Sequence, residues 1–145
     1  MRGLGAALVV ALVVALVAGC SLLPPLPPAG IQVTIPASES AKALPVTVVD
    51  HAGIVHAAAS AARVDDDASV TTIHAVPGRD DAVLLTWIGG ACDDRVLVTI
   101  DPVEDQYRVS METQSSAGVC SAVGIFRTIV IELTEPVGAD AFVLS

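Results

Sequence analysis

The chain has 145 residues, 53% of them apolar and 3% aromatic, and its 7 basic and 16 acidic residues give a formal net charge of −9. That length holds one domain of ordinary size. The charge repels phosphate and excludes a nucleic-acid binder of the usual basic kind, the hydrophobicity excludes a disordered chain, and three cysteines are too few for a disulfide-dense miniprotein.

The apolar residues are concentrated at the start. Residues 1–19 carry one charge, Arg2, and an almost unbroken Leu, Val and Ala run from Leu4 to Ala18. A spanning helix needs roughly 20 apolar residues; this shorter run, behind a positive start, has the form of a signal-peptide core. It ends in Val17-Ala18-Gly19-Cys20, which resembles the lipobox of bacterial lipoproteins. The resemblance implies a signal peptide over 1–19, cleavage before Cys20 and a diacylglyceryl group on its thiol. The expected location is the extracytoplasmic face of the cell membrane, held by lipid. Each buried CH₂ of an acyl chain such as palmitate contributes about 0.8 kcal/mol, and two or three chains on one cysteine hold durably where one does not. Without Arg2 the remainder has 6 basic and 16 acidic residues, so 6 − 16 = −10, which disfavours adhesion of the domain itself to anionic lipid.

Residues 20–45 are expected to be the lipidated N-terminus and a linker. Pro24, Pro25, Pro27 and Pro28 prevent a helix or a central strand. The segment favours polyproline II, a semi-rigid stalk of roughly 30 Å. An SH3-type ligand would need flanking basic residues, which it lacks. Ile31–Ile35 fits a first strand, and Pro36–Pro45 reads as loop.

Residues 46–145 are expected to form a single β domain. Val46–Asp50 is a β-branched run, Asp50-His51-Ala52-Gly53 has turn chemistry, and Ile54–Ala59 is expected to return as its hairpin partner. The rival is a helix over Val55–Arg63, because alanine favours helix. Arg63–Ala68 reads as loop, Val70–Val76 as strand, and Pro77–Asp81 as turn. Ala82–Ile88 is an apolar strand carrying the lone Trp87, with Gly89-Gly90 breaking it.

Val96, Val98 and Ile100 alternate within Arg95–Asp101. Asp101–Asp105 turns the chain, and Tyr107, Val109 and Met111 alternate in the return strand, giving one buried and one wet face. Ser115–Gly124 is a small-residue loop, Phe126–Leu133 the strongest strand, and Ala141–Leu144 a final edge strand. Seven to nine short strands at intervals of about 8–12 residues indicate an all-β fold, a small antiparallel β-sandwich or barrel. An immunoglobulin-like arrangement is one candidate, although Trp87 precedes the first body cysteine instead of lying between two.

With Cys20 lipidated, Cys92 and Cys120 remain as an even pair in an oxidising compartment, and a disulfide between them is expected. A redox role would need a CxxC or a nearby cation; Asp93-Asp94 beside Cys92 would raise a thiol's pKa instead. Asp50, His51, His56 and His74 could in principle gather a metal, but their spacing matches no recurrent motif. Asp65-Asp66-Asp67 lacks the alternation, central Gly and distal Glu of an EF-hand loop.

No GxSxG elbow or Ser-x-x-Lys occurs; Ser38 and Ser40 stand four and two residues from Lys42. The acidic residues fall in turns or, like Glu112 and Glu132, on wet strand faces, so no glycosidase pair stands out. Gly89-Gly90 opens no phosphate loop. Trp87, Tyr107, Phe126 and Phe142 are the only aromatics, few for a sugar-binding face once the core has used most.

The expected function is therefore a lipid-anchored, non-catalytic binding or assembly module of the cell envelope. Its expected partners are the membrane, through the anchor, and an envelope protein or ligand whose identity the sequence does not encode; no cofactor is implied. The alternatives are an ion- or small-ligand-binding lipoprotein using the acidic loops at Asp65–Asp67 and Asp93–Asp94, and a small secreted hydrolase.

Overall fold

The β-branched runs and their Gly, Pro and Asp punctuation become nine strands in the computed structural model, which describes residues 29–61, 70–120 and 123–145. They are β1 (Ile31–Ile35), β2 (Leu44–Asp50), β3 (Val55–Ser60), β4 (Thr72–Ala75), β5 (Ala82–Gly90), β6 (Asp93–Val103), β7 (Gln106–Ser115), β8 (Gly124–Leu133) and β9 (Phe142–Leu144). A 3-10 turn at Ala139–Ala141 precedes β9. Two sheets form, in the orders β1-β2-β6-β7-β9 and β3-β8-β5-β4. They pack face to face as an all-β sandwich, because each sheet has one apolar face that only the other can cover. The expected signal peptide, Cys20 and most of the proline run lie outside the described residues, as does Asp65–Asp67. Among the described residues no helix is long and apolar enough to cross a membrane.

The core follows the two-residue alternation of the strands. Val46 and Val48 of β2, Val96, Val98 and Ile100 of β6, and Val109 of β7 are buried from one sheet. Val83, Leu85 and Trp87 of β5, with Ile129, Ile131 and Leu133 of β8, meet them from the other. Each fully buried aliphatic side chain contributes about 1.5–3 kcal/mol. The expected β6–β7 hairpin is present, with Ile100 opposite Val109 and Val98 opposite Met111.

Several expectations need correction. β2 and β3 do not pair as a hairpin. β2 joins β1 and β6, whereas β3 joins β8, so the turn between them carries the chain from one sheet to the other. Asp50 holds that turn: its carboxylate accepts from the N–H groups of Ala52, Gly53 and Val55 at 2.7–2.9 Å. Residues 55–60 are strand, and the alanine-rich stretch yields to pairing with β8.

Gly89 and Gly90 do not break β5; they extend it, opposite Ile125 and Gly124. The turn expected over Asp101–Asp105 shrinks to Glu104-Asp105, with Glu104 at φ 54°. Pro102 is tolerated in β6 because it lies past the last residue, Ile100, that pairs with β2. β1 pairs with β2, so the sheet takes in residues upstream of 46, and Leu44-Pro45 is already strand. The five-stranded sheet also holds two parallel pairs, β2/β6 and β7/β9, in an otherwise antiparallel fold.

Candidate functional site

The strands that flank β8 differ in length. On one side β5 accompanies it all the way, to Gly90 opposite Gly124. On the other, β3 ends at Ser60, opposite Ile129. Among the described residues, Gly124–Thr128 therefore have no strand partner on that side. A cleft of about 550 Å³ opens there. It is lined by the consecutive residues 123–128, by Ala61 just past β3, and by Ile35, Pro36, Ser38 and Ser40 of β1 and the loop after it. Side chains alternate between the faces of a strand, so a run of consecutive residues lines a space only when the strand's edge faces it.

The loop that makes the opposite wall is held by short contacts. Ser38 and Ala41 exchange backbone hydrogen bonds of 2.8 and 3.2 Å. Lys42, the only lysine of the chain, pairs with Asp94 and donates to Ser116 Oγ at 3.2 Å. Ser116 Oγ in turn donates to Asp94 Oδ2 at 2.7 Å. This tie carries a pH dependence. The Lys42 and Ser116 hydrogen bonds hold the Asp94 carboxyl below its ordinary range, and Arg79 does the same to Asp81. Folding thus favours the ionised form, so this stability is present above the unfolded value near 3.9 and is lost as pH falls through the lowered folded values. Asp81→Asn with Asp94→Asn is expected to flatten the acid limb of a stability–pH profile below about pH 4. The effect is small and salt-sensitive, because both pairs are exposed.

The cleft floor rests on a buried charge. Arg127 is 3% exposed, and its guanidinium Nη2 donates to the Gly90 carbonyl at 3.2 Å. Burial lowers its pKa, and the Asp93 carboxylate opposes that shift. Asp93 is also buried and accepts from Gly90 N–H at 2.7 Å and from Ser115 Oγ at 3.1 Å. Gly89 makes room for both: a Cβ there would lie 2.5 Å from Asp93 Oδ2 and 2.9 Å from Arg127 Nε. Beside the cleft, Ile88 stands opposite Phe126, and Ile88 and Val123 are about half exposed. None of the lining residues is acidic, in a chain whose net charge is −9.

The residues singled out in the sequence are distributed as follows. Cys92 and Cys120 are joined by a disulfide with Cα atoms 5.8 Å apart. It links the β5–β6 turn to the β7–β8 connection, so it staples one end of the sandwich. Asp50, His51, His56 and His74 are not gathered. His51 Nδ1 lies 2.6 Å from Asp101 Oδ1, His74 Nε2 lies 2.8 Å from Thr72 Oγ1, and His56 is exposed on β3. Among the described residues no group of three or more His, Cys, Asp or Glu could hold a metal.

Asp93 and Asp94 point to Gly90 and Ser115 and to Lys42 and Ser116, so this acidic pair is engaged within the protein. Ser38 and Ser40 line the cleft. Trp87 and Phe142 are buried, Tyr107 packs on Phe142 with ring centroids 5.4 Å apart, and Phe126 lines the cleft. Sequence reasoning missed the cleft, which depends on β3 being shorter than its neighbour.

These features define a two-sheet β-sandwich with a disulfide-stapled end and a cleft at the edge of one strand. No protein-family model matches the chain, and neither the curated proteins nor the solved structures provide a match.

Proposed function

We propose that the protein is a lipid-anchored, non-catalytic module of the bacterial cell envelope that binds a partner protein in the cleft beside β8. The observation that carries the binding half is the run of consecutive residues 123–128 along the cleft, edge-on and with no carboxylate in the lining, in a chain whose net charge is −9. The anchoring half rests on Val17-Ala18-Gly19-Cys20 behind an apolar leader. An anchor of this kind leaves the domain free to meet partners while confined to a membrane surface.

The ion-binding alternative loses one of its two loops to internal contacts, since Asp93 and Asp94 already satisfy Gly90, Ser115, Lys42 and Ser116.

A photo-crosslinking residue placed at Ser40 of the anchored protein in its native envelope tests the binding half. The expected result is a discrete crosslinked adduct from position 40 and none from Glu104, on the β6–β7 turn. Equal adducts from both positions, or none from 40, would contradict it.

A further inference from the structure

We draw no further inference here: the strongest candidate, the side-chain cluster of Lys42, Asp94 and Ser116 at the disulfide-stapled end, brings a serine hydroxyl to 3.2 Å from a lysine amine, but Asp94 engages both the amine and the hydroxyl, so the cluster belongs to the loop tie already described.

Discussion

Asp93→Ala lowers the stability of the domain by about 2–3 kcal/mol, the cost of leaving buried donors without the carboxylate that satisfies them. Arg127 is buried at the end of the sandwich, where the Asp93 carboxylate is the anion that opposes its desolvation. Removing that carboxylate also leaves Gly90 N–H and Ser115 Oγ without their acceptor. Urea denaturation measures the change through the midpoint at constant slope.

The electrostatic share is separable from simple truncation by a cycle. Arg127→Met fills the space with an apolar side chain, and in the Asp93→Ala background it is expected to recover part of the loss, because it removes the buried guanidinium whose desolvation the carboxylate opposes. Equal and additive losses in the two single variants and the double would show that the two residues act independently.

Replacing Cys92 and Cys120 together with alanine is the second large effect. The bond closes a loop with a sequence separation of 28 residues. Chain entropy then gives about 3.5 kcal/mol of stabilisation through the unfolded state. In a domain of this size the melting temperature is expected to fall by roughly 10–20 °C. Reduction of the wild-type protein should reproduce most of that shift, which calorimetry under oxidising and reducing conditions would register. A change of only a degree or two would mean that the stapled end contributes little to folding. The loss should reach the cleft as well, since the β7–β8 connection that carries Cys120 leads directly into Val123 and Gly124.

The legible parts of this fold are those fixed by local chemistry. Val96, Val98 and Ile100 facing Val109 could be read from the period-two pattern, because a half-buried hairpin writes its register into consecutive residues. The cysteine pair was legible for a similar reason: two thiols remain once the cysteine of the proposed lipobox is set aside, each flanked by small residues and placed just before a strand.

What the pattern could not show was which distant strands become neighbours. Asp50-His51-Ala52-Gly53 has the composition of a hairpin turn, yet β2 and β3 part company there. β2 finds β6 and β3 finds β8, through contacts separated by scores of residues. The same blindness explains Gly89-Gly90. Glycine weakens an isolated strand, but here it extends β5, because Asp93 and Arg127 occupy the space where a Cβ would stand.

The candidate site lies wholly in the illegible part. Ile125 and Phe126 look like ordinary core-strand residues in the sequence, and Ser38 and Ser40 like an exposed linker. Only the difference in length between β3 and β8 exposes the edge, and only the return of the β1–β2 loop past that edge encloses it. Lys42 stands at the wrong spacing from Ser38 and Ser40 for a Ser-x-x-Lys motif, and its side chain ties the loop to Asp94 and Ser116.

The claim on which the compartment, the expectation of an oxidised cysteine pair and the choice of partners all depend is the lipid anchor at Cys20. The direct measurement is intact mass and detergent-phase partitioning of the protein recovered from bacterial membranes, beside a Cys20→Ser variant. The account predicts a mature chain that begins at Cys20, carries the mass of its acyl chains and enters the detergent phase, while the Cys20→Ser variant gains no lipid mass and leaves that phase or stays unprocessed. An unlipidated Cys20 in the wild-type protein, with partitioning identical to the variant, would contradict it.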